Sequence, residues 1–317
     1  MAEFDYESKI WGAHKVAVSP TFLGALRLQY CLKDLRAVRG KVLEVGCGAG
    51  GMAEAIKAYR PDLEVYGIDI SRRSISGARA TPGGVIFEIG DAYDLPYSDG
   101  SFAAVVIFDV LEHLQDPGRA IAEAWRVLGK RGMFHVFVPC EGGRMTLHGL
   151  LSRIGWTAKE RYGGHIQRLT RGNVISMLEV QGFRVRSTVW SCHFVNQVVD
   201  VSYFTALSIR GRNSRMSVEG YLESVEAGIV PTVVRVAKAA VAVASYYESR
   251  LFSYIPGAGA HISSDKDPST SGSRKLLLQP LSTVDLTKFA QSEIPQRAGS
   301  QSSANSQLLI ARGNSAD

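Results

Sequence analysis

Apolar residues in the first two thirds of the chain alternate between two spacings. Short, nearly continuous apolar runs recur at Val42-Leu43-Glu44-Val45, Leu63 to Ile70, Val105 to Phe108, Met133 to Pro139 and Phe183 to Trp190, as strands buried on both faces do. Between them the apolar positions return every three or four residues. Thr21 to Arg36 carries Phe22, Leu23, Ala25, Leu26 and Tyr30 on one stripe, and a helix of about Gly51 to Tyr59 follows the first run. Asp116-Pro117-Gly118 opens a helix whose face is Ala120, Ile121, Ala124, Trp125 and Leu128. Arg171 to Gln181 is a helix stopped by Gly182. Gly90-Asp91-Ala92 closes a further strand, and Gly129-Lys130-Arg131-Gly132 reads as a turn into the fifth. Strand and helix alternating over short connections predict an α/β doubly wound fold with right-handed crossovers and a mostly parallel sheet.

The first strand runs into Gly46-Cys47-Gly48-Ala49-Gly50 with Glu44 two residues ahead of the first glycine. Alternate glycines let a backbone turn sharply and approach a ligand, and the helix after them offers N–H groups. Gly46, Gly48 and Gly51 also satisfy the dinucleotide fingerprint, with Asp69 about where a ribose-binding acid belongs. An NAD(P)-dependent oxidoreductase therefore stays open. Glu44 tips the balance, because a carboxylate repels a pyrophosphate and attracts an ammonium or a sulfonium.

Acids also close the next three strands: Asp69 in Gly67-Ile68-Asp69-Ile70, Asp91 in Gly90-Asp91-Ala92, and Asp109 in Phe108-Asp109-Val110-Leu111-Glu112-His113-Leu114. With the glycine loop, and with Asp94-Leu95-Pro96-Tyr97 and Ser101-Phe102-Ala103, they resemble the class I S-adenosylmethionine-dependent methyltransferases, most of all the branch of quinone and small-molecule methylases. The resemblance spans about residues 38 to 190. It implies a seven-stranded Rossmann-like sheet and S-adenosyl-L-methionine as cofactor. Glu44 would sit near the methionine ammonium, and Gly46, Cys47, Gly48 and Gly50 would line the methionine and ribose. Asp69, with Ile70 beside it, would grip the ribose, Asp91 and the Ala92 N–H would face the adenine, and Asp109 would border the methionine end. It also implies an antiparallel strand between the fifth and sixth, for which Ala258 to Ser263 is the best segment. A fold member that binds the cofactor without catalysis is the remaining alternative.

Methyl transfer from a sulfonium needs alignment above all, and a base only where the acceptor keeps its proton. His113, after strand four, and His165, in a glycine- and arginine-rich insertion over residues 140 to 170, are the catalytic candidates. Each has a plainer reading as a loop-holding histidine. Glu112 is expected to face away or cap the turn, Tyr162 is a weaker proposal, and Trp11, just before the first helix with His14, reads as core filler. Cys31, Cys47, Cys140 and Cys192 show no C-x-x-C or metal-ligand spacing, so no metal is expected and Cys47 reads as a small residue in a tight turn.

With 317 residues and net charge +6 the chain has the composition of a globular protein, its basic excess gathered between Arg144 and Arg186. That region could draw an anionic acceptor or an acidic membrane face; nucleic acid is not expected, because aromatic residues are not interleaved with the basic ones. The acidic stretch Met1 to Tyr6 has neither a basic n-region nor an apolar h-region, so no secretory signal is expected and the expected compartment is the cytoplasm. Residues 1–37 read as an N-terminal segment and helix, 38–190 as the cofactor-binding core, 191–263 as a helical excursion plus final strand, and 264–317 as a serine-, glycine- and glutamine-rich disordered tail. Helices are expected at about Asn196 to Ile209 and Thr232 to Phe252. The second is apolar but interrupted by Arg235 and Lys238, which favours a buried or lid role over membrane attachment. Either role suits a small hydrophobic or lipid-like acceptor, such as a quinol, methylated on oxygen or carbon, with peripheral membrane contact as the associated expectation. No motif encodes the oligomeric state.

Overall fold

The computed structural model describes residues 7, 10–12, 16–80, 83–210 and 229–267. Helix α1 (Ala25–Leu35) leads into β1 (Lys41–Val45), α2 (Gly51–Tyr59), β2 (Glu64–Asp69), α3 (Arg72–Arg79), β3 (Ile86–Ile89) and β4 (Phe102–Phe108). A 3₁₀ turn (Leu111–His113), α4 (Pro117–Val127), β5 (Leu128–Pro139), α5 (Leu147–Ser152), α6 (Ala158–Gly163), α7 (Arg171–Val180) and β6 (Phe183–Ser191) follow. Helices α8 (Phe194–Arg210) and α9 (Ile229–Leu251) precede β7 (Gly259–Lys266).

The strands form one seven-stranded sheet in the order β3-β2-β1-β4-β5-β7-β6. β7 runs antiparallel to both of its neighbours, and the other pairs are parallel. The order reverses between β1 and β4, which places the crevice of a doubly wound sheet at their carboxyl ends. Alternation along each strand divides the core. Val42, Val65, Ala104 and Val106 pack with Leu28, Ile56 and Ile75 of α1 to α3, while Leu43, Ile68, Val105 and Ile107 pack with Ile121 of α4 and Leu178 of α7. Burial on both faces explains why these strands read as unbroken apolar runs.

Several boundaries differ from expectation. Helix α1 starts at Ala25, because Ser19 and Phe22 carbonyls accept from Phe22 and Ala25 N–H groups in two tight turns that precede it. Gly129 to Gly132 is not a separate turn but an irregular stretch inside β5, where Arg131 has φ +61° and the register slips opposite Phe102 and Ala104. The final strand extends to Lys266, since Asp265 and Lys266 still pair with Arg184 and Phe183 of β6. The expected tail from 268 onward, and His14, lie outside the described residues.

Over the carboxyl ends of β5 and β6, α5 and α6 fill the insertion after β5 and α8 and α9 the excursion after β6. Glu248 of α9 accepts from the Phe194 and Val195 N–H groups (3.1 and 3.0 Å), so one helix supplies the N-terminal cap of the other. The Trp190 N–H donates to the Ser253 carbonyl at 2.9 Å and anchors the return of the chain. No helix among the described residues is long and apolar enough to cross a membrane.

Candidate functional site

The glycine loop is pinned from beneath, where Gly46 and Cys47 N–H groups donate to the Ile68 carbonyl at 2.8 and 3.0 Å. Gly46 and Gly48 have φ of +74° and +54°, a region costly for other L-residues. A Cβ on Gly46 would strike the Val110 side chain, and one on Gly48 would strike the Trp11 carbonyl. Gly50, also at positive φ, faces Phe87 in the core, so it shapes the start of α2 rather than the open side of the loop. Cys47 is buried and its thiol is pushed up by burial, which leaves the plain reading, a small residue in a tight turn.

Glu44 is 3 % exposed, and its Oε2 has no hydrogen-bond partner among the described residues. Burial holds its carboxyl well above the ordinary range, with the charge of Asp69 adding to the effect and the Ala53 N–H opposing it. An orphaned buried carboxylate beside a glycine cradle fits a cationic ligand group and opposes a diphosphate. The residues present thus fit the amino-acid end of S-adenosylmethionine.

The N–H groups at the start of α2 are not open, contrary to the sequence reading. Trp11 and Gly12 carbonyls accept from Ala49 and Gly51 N–H groups at 2.7 and 2.9 Å. Glu7 accepts from the Arg72 N–H (2.8 Å) at the start of α3 and from the Ser71 hydroxyl (3.2 Å). Glu7, Trp11 and Gly12 therefore strap the crevice by backbone and carboxylate contacts. Trp11 is 41 % exposed, so it is not core filler.

Asp69 ends β2 with its carboxylate accepting from the Gly48 N–H (2.8 Å) and the Ser71 N–H (2.9 Å). Each oxygen keeps a further acceptor position for a hydroxyl. Ile70 beside it is 60 % exposed, an apolar face at the open end of the sheet. Asp91 is exposed and accepts from the Tyr93 N–H at 2.9 Å, while Ala92 is half-buried next to it. The Gly90 N–H donates to the Asp69 carbonyl at 3.0 Å, which ties these two strand ends together. Asp109 closes β4 at φ +53°, and Arg27 of α1 donates to its Oδ1 at 3.1 Å.

His113 and His165, 52 residues apart, are brought ring to ring at 4.8 Å in a T-shaped contact. His113 Nδ1–H donates to the Gly164 carbonyl at 2.9 Å. Burial first, then the neighbouring His165, pulls its pKa down to about 4. His165 Nδ1–H donates to Glu141 Oε2 at 3.2 Å, and Lys159 Nζ lies 2.5 Å from Glu141 Oε1. Lys159 also pairs with Asp200 of α8, which His148 Nε2 reaches at 2.9 Å. Glu141 is held well below the usual carboxylate range by His165 and Lys159 despite burial. A histidine oriented by a carboxylate through Nδ1 leaves Nε2 as its proton-accepting atom.

Glu112 corrects the sequence reading outright. It is fully buried, neither carboxylate oxygen has a hydrogen bond among the described residues, His113 Nε2 lies 3.9 Å from Oε1, and burial together with Asp109 and Glu141 drives its carboxyl well above the usual range. The 3₁₀ turn Leu111–His113 that follows Asp109 buries Leu111 and Glu112 together. Ligand atoms of Glu112, His113 and His165 lie within 4.8 Å of one another, as do those of Glu141, His148 and Asp200. Either trio has the donor set for a divalent ion, although Lys159 already neutralises the second. Arg27, Glu141, Lys159 and Asp200 carried no motif, and tertiary packing alone brings them to the site. The basic segment is partly neutralised too: Arg184 and Arg186 reach Asp265, and Arg168 reaches Glu160.

The sheet order, the acid before the glycine loop and the acids at successive strand ends define a Rossmann-like domain for a nucleoside cofactor with a cationic end. Residues 43–136 match the methyltransferase domain family. That part of the chain is thus similar to methyltransferase domains. A probable S-adenosylmethionine-dependent methyltransferase of Mycolicibacterium smegmatis is 32% identical over 152 residues, 48% of this chain and 55% of that protein. The demethylmenaquinone methyltransferase of Deinococcus radiodurans is 35% identical over 127 residues, 36% of this chain and 53% of its own length. The ajmaline N-methyltransferase of Rauvolfia serpentina is 38% identical over 92 residues, 27% of this chain and 31% of its own length. The chain thus spans about a third to a half of the length of such relatives. Among solved structures, a putative methyltransferase from Bacillus halodurans superimposes with a TM-score of 0.50 at 19% identity, covering 76% of this chain and 98% of that one. The [4+2]-cyclase SpnF gives the same TM-score and identity, over 76% of this chain and 80% of its own. One fold therefore carries differently named reactions, and the likeness speaks for the fold alone.

Proposed function

We propose that the chain is an S-adenosylmethionine-dependent methyltransferase acting on a small, hydrophobic acceptor, with an oxygen or carbon atom methylated. The observation that carries this is Glu44, a buried carboxylate with an unpartnered oxygen beside the Gly46 to Gly50 cradle. When bound, S-adenosylmethionine supplies a methyl group already activated by its sulfonium. The chain's own part is alignment and exclusion of water. Glu44 neutralises the ammonium, Asp69 and the Asp91 turn hold the nucleoside, and Trp11 and Gly12 cover the loop. Effective molarities of well-oriented systems are worth about 7 to 11 kcal/mol, so this positioning is the main catalytic device.

Where the acceptor is a hydroxyl, His165 Nε2 takes its proton, with the Glu141 carboxylate behind Nδ1 stabilising the imidazolium. His113, kept neutral by burial, packs against that ring. Calorimetry with S-adenosylhomocysteine and with NADH tests the cofactor: binding of the first alone is expected, and binding of NADH alone would replace this reading with the oxidoreductase one. Transfer of labelled methyl from the donor into a lipid or quinol extract separates an enzyme from a fold member that only binds.

A second feature concerns where the acceptor is found. Leu251, Tyr254 and Ile255, at and just beyond the end of α9, are 74%, 91% and 54% exposed, and Phe194 at the start of α8 is 72% exposed. We infer that this apolar end touches a membrane surface peripherally and collects a lipid-like acceptor there. Co-flotation with anionic liposomes at low salt is expected, and Tyr254→Ser with Leu251→Ser should abolish it; no flotation of the unaltered chain would end the idea.

A further inference from the structure

On the α1 side of the sheet lies a cavity of about 150 Å³. Its walls come from α1, the ends of β5 and β6, α9 and the start of β7, and it holds none of the cofactor-cradle residues. Phe22, Leu26, Phe137 and Ala242 give it an apolar side. Arg27, Ser191 and His261 stand on the polar side. A volume of this size accommodates one benzene-sized ring when the lining is apolar.

Two polar atoms of the lining residues are buried without partners among the described residues: Arg27 Nε and His261 Nδ1. His261 is 2 % exposed, and its Nε2 lies 3.0 Å from Ser191 Oγ. Tyr30 and Phe137 pack their rings against it at 4.7 and 4.6 Å. Unpartnered buried polar groups are costly and rare in native proteins, and two around one small cavity call for a ligand atom that both donates and accepts. A hydroxyl does both: it can accept from Arg27 Nε–H and donate to the Ser191–His261 pair. Arg27 also stacks on Phe137 at 4.2 Å and bonds Asp109, which links this cavity to the carboxyl end of β4.

We propose that this cavity binds a single hydroxylated aromatic ring, a phenol-like group, with Arg27 and the Ser191–His261 pair recognising its hydroxyl. Naming that ring as part of the methyl acceptor rests on the methyltransferase reading; the binding itself does not. His135 continues the polar line, its ring 6.1 Å from that of His261 and its Nδ1–H donating to Asp34 at 2.7 Å. The pair itself joins β6 to β7, with the Tyr30 ring of α1 and the Phe137 ring of β5 packed against His261.

Fluorine NMR titration of the full chain with 4-fluorophenol and with fluorobenzene tests the proposal. Saturable one-to-one binding is expected for 4-fluorophenol, at least about tenfold tighter than for fluorobenzene, the worth of one buried hydrogen bond. Ala242→Phe should weaken 4-fluorophenol at least about tenfold by filling the cavity. If that variant melts early, Leu23→Trp at the half-exposed rim performs the same test by closing the mouth. His261→Phe, which keeps only the Arg27 contact to the hydroxyl, should narrow the difference between the two probes. Equal binding of both probes to the unaltered chain, insensitivity to both blocking variants, or no saturable 4-fluorophenol binding would overturn the assignment. S-adenosylhomocysteine binding is measured separately, so failure of the ring site and failure of the methyltransferase reading are told apart.

Discussion

Burial raises the Glu44 carboxyl well above its ordinary range, and a cationic group bound beside it, as proposed, would draw it back down. Binding of S-adenosylhomocysteine, which carries the same ammonium, is expected to release protons below the free-state pKa of Glu44, read as a buffer-dependent calorimetric enthalpy. Affinity should rise with pH up to the free-state pKa of Glu44. Glu44→Gln should remove the proton release and weaken binding by on the order of 1 to 3 kcal/mol; an unchanged buffer dependence would show that Glu44 does not meet the ammonium. Asp69→Ala should weaken nucleoside binding by a similar on the order of 1 to 3 kcal/mol, checked with adenosine alone as ligand. Glu44, Asp69 and Asp91 were legible because their type and spacing agree with the glycine loop. Glu112 was not. Whether a residue beside a strand end faces water or the interior depends on how the next turn winds, and here a 3₁₀ turn rotates it inward.

At the scale of elements, α7 shows how much a cap decides. Thr170 Oγ1 accepts from the Asn173 N–H at 3.2 Å while Asn173 Oδ1 accepts from the Thr170 N–H, a reciprocal capping box. Thr170→Ala should cost about 1 kcal/mol in urea unfolding, with the slope of the transition unchanged. Helix α2 matches its sequence reading from Gly51 to Tyr59, since glycines precede it and the apolar stripe defines its face. β5 was misjudged because two glycines and two basic residues are the composition of a turn. Pairing of Leu128 with Phe102 overrides that local preference and carries the strand across it. The antiparallel β7 was placed through resemblance rather than pattern: His261, Ser263, Ser264 and Asp265 are polar yet buried, so no alternation announces a strand there.

Over the whole molecule the buried titratable groups make stability depend on pH with opposing signs. His113 and His261 have folded pKa values below the unfolded value, His113 at about 4. The His113 contribution is fully present above pH 6.5 and is lost as pH falls toward 4, because the unfolded chain binds that proton first, and the His261 contribution has the same sign. Glu44 and Glu112, raised by burial, act the other way and favour the folded state as pH falls. The His113 component is isolated by a difference: relative to the unaltered protein, His113→Gln should gain up to about 3 kcal/mol between pH 7 and pH 4 in thermal or urea unfolding. A constant difference across that range would show that His113 is not held neutral.

The sequence by itself determined the doubly wound sheet, the glycine cradle with its acids and the kind of cofactor they suit, because strand burial and loop geometry are written in local patterns of residue type. Only the tertiary structure decided which distant side chains meet. It set His113 against His165 with Glu141 and Lys159 behind them, laid Trp11 and Gly12 over the loop, and enclosed Arg27, Ser191 and His261 around a ring-sized cavity. Such meetings depend on how helices from separate parts of the chain pack over the sheet edge, and that packing rests on shape and on buried charge compensation, neither of which has a period along the chain.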